Sequence, residues 1–177
     1  MSAGERVVRW EDPRATLEAL ADRGLTGLEF LRELRDGELA PPPFGQLLGF
    51  TVDEVEPGRV VFSVQPGEHL LNPNAVLHGG VAASMIDTVT GCAVTTQLPA
   101  GSTCATLQLG VSFLRSLDAA SPPVRCEGRV LHLGRRSAVA EGRMTLPDGR
   151  LVAHGTATLQ ILGPEGPRHG PGGLHKP

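Results

Sequence analysis

Tyrosine is absent from this chain of 177 residues, and the other aromatics amount to five Phe and one Trp. That scarcity removes the stacking platforms on which single-stranded nucleic acids are bound, and it leaves the core to Val, Leu and Ala. Cysteine is nearly as rare. Cys92, Cys104 and Cys126 are odd in number and show neither CxxC nor another zinc spacing. They read as reduced, small apolar residues in a cytoplasmic protein, with no metal site. Excess charge of one sign is missing too: 16 Lys and Arg stand against 19 Asp and Glu, a formal net of -3. Such a balance supplies no basic field for nucleic acid or for an anionic membrane. No apolar run approaches the roughly 20 residues of a membrane-spanning helix. Met1–Trp10 carries Glu5, Arg6 and Arg9 but no apolar stretch of the kind a secretory signal needs.

What the chain does have is Gly and Pro, 23 and 15 residues, which help to divide it into three zones. Residues 1–45 read as a mostly helical extension. Asp12-Pro13 looks like an N-cap with Pro at the first helical position, leading into Thr16-Leu17-Glu18-Ala19-Leu20. Thr26-Gly27-Leu28-Glu29 fits a capping box, with Leu28, Leu31 and Leu34 at helical spacing behind it. Pro41-Pro42-Pro43 is expected to end that helix as a stiff connector. The last zone, residues 163–177, is Gly, Pro and His without periodicity and is expected to be disordered, with His169 and His175 too isolated to hold metal.

Residues 46–162 read as the folded domain. Two strands, Phe50–Glu56 and Arg59–Gln65, flank the turn dipeptide Pro57-Gly58. A loop to Leu77 precedes a helix from Gly79 to Gln97. Four strands follow, at 106–114, 124–133, 137–146 and 151–161, the last two joined by Asp148-Gly149, the strongest hairpin signal in the chain. Strict alternation in the first of these puts Leu107, Leu109, Val111 and Phe113 on one face. One helix between two strands and four is an α+β pattern, a helix packed on an antiparallel sheet.

The helix is the informative element. Gly79, Gly80, Ala82, Ala83, Ser84, Gly91, Cys92 and Ala93 are all small, although Gly costs about 1 kcal/mol relative to Ala inside a helix. Tertiary packing must hold such a helix, and the composition suits one wrapped closely by a sheet; a small face against a partner subunit is the alternative, and the two are compatible. Asp87 sits well inside this apolar segment, too far from its start to be an N-cap. An unpartnered carboxylate in such a place costs several kcal/mol, so Asp87 is either catalytic, or paired with a buried donor, or on a face that is wet. His78-Gly79-Gly80 falls where the loop becomes helix. Backbone N–H groups are unpaired there, the helix dipole is positive, and two glycines leave room for a ligand carbonyl, as in an oxyanion hole. The alternative reading of a Gly pair at a helix start is tight packing.

The run Asn72-Pro73-Asn74-Ala75-Val76-Leu77-His78-Gly79-Gly80, followed by Asp87, closely resembles the hotdog-fold acyl-CoA thioesterases of the phenylacetate-degradation (PaaI-like) type. The similarity extends through Gly101, the strand after it, the Gly134-Arg135-Arg136 turn and Asp148-Gly149-Arg150-Leu151-Val152-Ala153. It implies a long central helix wrapped by an antiparallel sheet, two protomers whose sheets run on continuously in a homodimer or homotetramer, and active sites shared between chains. It implies acyl-CoA as substrate, with no cofactor beyond the CoA the substrate carries. By the same resemblance Asp87 matches the catalytic carboxylate and Gly79 the residue whose N–H polarises the thioester carbonyl. Asn72 and His78 match the residues that position thioester and water, and Thr106 the hydroxyl beside the nucleophile. Asp87 of the facing subunit would then act as general base on a water, or attack to give a mixed anhydride. Ala75 departs from the pattern, standing where the family often has Gly.

Gly80 shares in the substrate-binding turn. Arg115, Arg135 and Arg136 are candidates for the CoA phosphates, to which Arg is well suited, against a reading as solvated turn charges. His132 and His154 read as packing or surface residues, and no GxSxG elbow supports Ser84 or Cys92 as a nucleophile. Two other functions share this fold: a hydroxyacyl-thioester dehydratase, which wants a His acting with a carboxylate, and a non-catalytic acyl-CoA-binding module, which has no need of Asp87.

Overall fold

The computed structural model describes residues 4–163; the Gly- and Pro-rich tail beyond, with His169 and His175, lies outside the described residues. Three short helices open the chain: α1 (Pro13–Arg23), α2 (Gly27–Asp36) and α3 (Pro43–Leu48). Two strands, β1 (Phe50–Glu56) and β2 (Arg59–Val64), precede the long helix α4 (Gly79–Thr95). Four more strands complete the chain: β3 (Thr103–Phe113), β4 (Val124–Leu133), β5 (Ser137–Thr145) and β6 (Leu151–Leu162). All pair antiparallel in one six-stranded sheet of order β1-β2-β4-β5-β6-β3. The sheet curls round α4, whose Val81, Met85, Ile86, Val89, Ala93 and Val94 are buried against it. This is the α+β hotdog architecture.

Close approach of sheet to helix comes from glycines on the sheet more than from small residues on the helix. Gly128, Gly142 and Gly155 lie side by side on β4, β5 and β6, each the register partner of the next. A Cβ on Gly128 would stand 2.2 Å from the Val89 carbonyl oxygen, and one on Gly142 would stand 2.8 Å from Ile86 Cγ2. A Cβ on Gly155 would come within 3.0 Å of the same Ile86 methyl. The row is a trough, and Ile86 and Val89 are the branched side of α4 laid into it.

The N-terminal helices join this core. Thr26 and Glu29 form the reciprocal capping box of α2, and Leu31 and Leu34 are buried in the same cluster as Phe50, Val60 and Met85. Gly27 N–H bonds the Leu98 carbonyl, tying the start of α2 to the end of α4. Pro41-Pro42-Pro43 does not end α2. Gly37, left-handed at φ 78, caps it earlier, while Pro42 and Pro43 start α3 as N-cap and first residue, because a missing N–H costs nothing there.

Strict alternation fails in β3. Thr106 pairs with Leu159 and Gln108 with Thr158, so a β-bulge holds an extra residue at Leu107. Leu107 is consequently exposed at 63% while Leu109 and Val111 pack on the core.

Two stability predictions follow from this packing. Gly128→Ala should cost about 3 kcal/mol or more in urea unfolding, since the new methyl meets a main-chain carbonyl that cannot yield. Leu31→Ala should cost about 3 kcal/mol, which would show α2 to be part of the cooperative unit; an unchanged midpoint would exclude it.

Candidate active site

The loop before α4 is built around Asn72. Its Oδ1 accepts from the Asn74 N–H at 2.9 Å and the Val76 N–H at 3.4 Å, and its main chain bonds Val76 and Ala75. The Asn72 side chain is therefore engaged in shaping the loop. Ala75, at φ 58, is the one non-Gly residue of positive φ among the described residues. That explains the family's preference for Gly here: the left-handed conformation costs an L-residue roughly 1 kcal/mol. The loop is anchored at its end, where Leu77 N–H bonds Leu117 O at 2.7 Å and His78 N–H bonds Leu70 O at 2.9 Å.

His78 is the N-cap of α4. Its Nδ1 accepts from the Gly80 N–H at 2.8 Å, which requires that nitrogen to be unprotonated and leaves Nε2 as the free position of the ring. A Cβ on Gly80 would lie 2.8 Å from His78 Nδ1. Gly80 thus serves the cap, and its N–H is already engaged. Gly79 differs. Its N–H is the first of the helix, ahead of the internal ladder and passed over by the cap. Gly79 and His78 form one wall of a cleft of about 320 Å³. Leu77, Ala82, Phe113 and Val152 give it an apolar lining, and exposed Arg115 and Ser116 its polar edge.

Asp87 lies two turns further along, half-buried, on a face of α4 shared with Ser84, Thr88 and Gly91, which are also only partly covered. Of the readings the sequence left open for Asp87, a carboxylate sealed inside the core is not the one observed; the face is partly wet. The Asp87 Oδ1 accepts from Thr106 Oγ1 at 2.8 Å. The bulge at Leu107 makes this contact compatible with the rest of β3. Cys104 and Thr106 before it, and Leu109, Val111 and Phe113 after it, all turn toward α4. Without the extra residue, Thr106 and Leu109 would point to opposite sides.

The cysteines are poor nucleophiles. Burial, with Cys104 and Asp87 nearby, pushes the Cys92 thiol up to about 12, and burial likewise raises Cys104; the thiolate, not the thiol, reacts. Among the described residues no three His, Cys, Asp or Glu side chains cluster as metal ligands would, and no helix is long and apolar enough to cross a membrane. His154 faces Glu141 at 3.2 Å across β5 and β6.

One chain separates what the motif suggests as a unit. Eight helical residues, about 12 Å of rise, lie between Gly79 and Asp87. The arginines divide in the same way. Arg115 borders the cleft beside Gly79. Arg135 and Arg136, both exposed, precede Ser137, the partner of Gln160, next to the Leu159 that pairs with Thr106. Seven residues of β6 separate Gln160 from Ala153, the partner of Phe113, roughly 23 Å of strand. Each chain therefore carries two candidate half-sites, one at either end of β3. Sequence reasoning missed Phe113 as a site residue because its alternation with Leu107 suggested a common packing face; the bulge has no signal in that alternation.

Residues 74–153, from the Asn72 loop through α4 and into β6, match the thioesterase superfamily. A candidate esterase of Saccharolobus solfataricus is 32% identical over 117 residues, 66% of this chain and 81% of the relative. A phenylacetic acid degradation-related protein of Ralstonia eutropha, described as a candidate thioesterase, superposes with a TM-score of 0.67 at 32% identity. The match covers 73% of this chain and 98% of that one. A Streptococcus mutans protein solved bound to acetyl CoA superposes with a TM-score of 0.60 at 25% identity, over 64% of this chain and 89% of its own. The Saccharolobus and Ralstonia relatives, 32% identical over most of their own length, carry more than a shared fold, and the chain belongs to the thioesterase superfamily, as a hotdog protein of the PaaI-like type.

Proposed function

We propose that this protein hydrolyses acyl-CoA thioesters to the free acid and CoA in active sites formed between two copies of the chain. The observation that carries the reading is the split site: a carboxylate primed by a hydroxyl at one end of β3, and a free helix-start N–H at the other. Antiparallel pairing of two copies along β3 unites them. Among the described residues the strand has hydrogen-bonded neighbours on one side only, and a two-fold axis near Leu109 and Gly110 would set Thr106 of one copy beside Phe113 of the other. An interface of this kind repeats every contact twice, so Asp87 of each chain faces Gly79 of its partner. The same operation brings Arg135 and Arg136 of one chain toward Arg115 of the other, a basic rim suited to the CoA phosphates. The acetyl CoA held by the Streptococcus mutans relative supports the choice of a CoA ester.

In the reaction the Gly79 N–H donates to the thioester carbonyl and strengthens its bond as that oxygen gains charge. Asp87, oriented by Thr106, takes a proton from an attacking water or itself adds to the carbonyl carbon. Collapse of the tetrahedral intermediate breaks the C–S bond and releases CoA thiolate, which takes up the proton; where Asp87 itself has added, water then hydrolyses the resulting anhydride to the free acid and restores the carboxylate. His78 holds the helix start, and Asn72 the loop that delivers it. His154 pairs with Glu141.

In a thiol-release assay Asp87→Asn should lower kcat by about 1000-fold with folding intact; near-normal turnover would refute the assignment. Gly79→Ala tests the other half. The atoms nearest the added methyl belong to the Phe113 ring, at 3.4 Å, an ordinary contact, so the variant should fold; its N–H remains, but the methyl displaces the carbonyl from that donor and should cost about 100-fold in activity. Mixing the two inactive variants under exchange conditions should restore about a quarter of wild-type activity, because half of the dimers are mixed and each has one intact site. No recovery, with exchange demonstrated, would mean that each site is built within one chain.

A further inference from the structure

We infer that Phe113 sets the size of the acyl group this protein accepts. The inference rests on the thioesterase reading above and adds to it a residue that none of the family's motif positions includes. Phe113 is 57% exposed in the single chain, on the β3 edge that the proposed second copy would cover, and its side chain also lines the cleft. Its ring lies across Gly79. Cε1 and Cζ are 3.4 and 3.5 Å from the point where a Gly79 Cβ would stand, which makes the ring the nearest side chain to the open side of the proposed carbonyl donor. The bulge at Leu107 turns Phe113 this way.

The cleft beneath the ring identifies what it meets. Its apolar walls are Leu77, Ala82, Val152, Ala153 and Phe113 itself, within about 320 Å³, and Arg115 and Ser116 form its polar edge. A thioester whose oxygen is bonded at Gly79 directs one substituent of its carbonyl carbon into that space. Phosphate and ribose lose their hydration against the apolar walls without compensation, so the acyl group is the substituent that packs against them and the CoA arm leaves past Arg115 at the polar edge of the cleft. Apolar pockets discriminate by bulk: a single methylene changes selectivity roughly tenfold or more. A phenyl ring forming the wall nearest the reacting carbon therefore limits acyl bulk at that carbon and the next few.

The test is kcat/KM by thiol release for wild type, Phe113→Ala and Phe113→Leu on acetyl-, hexanoyl-, dodecanoyl- and phenylacetyl-CoA, with melting temperature and oligomeric state recorded beside it. For Phe113→Ala the ratio of dodecanoyl to hexanoyl activity should rise at least about tenfold over wild type, and for Phe113→Leu in the same direction by less. Ratios unchanged within about twofold in both variants, with all four substrates falling together, would overturn the inference, because a mere packing residue acts on every substrate alike. Dissociation of both variants would overturn it as well, by placing Phe113 in subunit association. Wild type inert on all four esters would refute the hydrolase reading and this one with it; an active wild type with unshifted ratios refutes this one alone.

Discussion

Helix α4 lies in a trough whose floor is backbone. Gly128, Gly142 and Gly155 give up their side chains in register so that Ile86 and Val89 can sit against the sheet. Close-packed interiors transmit position with little slack, so this one contact fixes both the depth of the helix and its rotation about its axis. Val81, Met85, Ile86, Val89 and Val94 then face inward, and the remaining face is decided with them. Ser84, Asp87, Thr88 and Gly91 fall on the side the sheet does not fully cover. Asp87 is thus held at the surface of the core, where a carboxylate can remain solvated and still accept a bond from Thr106. The polar residue and the apolar trough are two consequences of one helix rotation.

A rigid helix also sets what a single chain is able to do. Gly79 must be at the helix start to offer a free N–H, and Asp87 must be far enough along to meet β3. About 12 Å between them is several times the width of a thioester group. No rotamer change bridges that gap. Two copies paired along β3, as proposed, would bridge it, and this chain carries the parts in the order that pairing needs: an open-edged β3 with Asp87 and Thr106 at one end and Gly79 and Phe113 at the other.

The elements were legible where local rules are strong. Thr26 and Glu29 announced the cap of α2, Asp148-Gly149 the hairpin between β5 and β6, and the loop-helix run the family. What was not legible depended on the register between segments distant in sequence. Gly128, Gly142 and Gly155 are unremarkable singly and become a trough only when three strands align. The bulge at Leu107 is silent because Leu107, Leu109, Val111 and Phe113 alternate as an unbroken strand would. Gly79 and Gly80 read as an equal pair, and only the His78 cap assigns them different work.

That bulge joins the two half-sites through one strand. It reverses the parity of β3 between Thr106 and Leu109, so that Thr106 meets Asp87 and Phe113 meets Gly79 from the same side of the same strand. Were β3 regular, an inward Thr106 would turn Leu109, Val111 and Phe113 outward together. The core would lose two apolar residues and the cleft its aromatic wall; the opposite choice would keep the core and strip Asp87 of its hydroxyl partner. An extra residue in one strand satisfies both demands, and it does so on the edge that the proposed second copy would occupy. Bulges twist a strand locally, and the curvature this one adds bends β3 around α4 near Thr106, where the hydroxyl must reach across to the helix. The carboxylate chemistry, the cleft and the core all use the same irregularity.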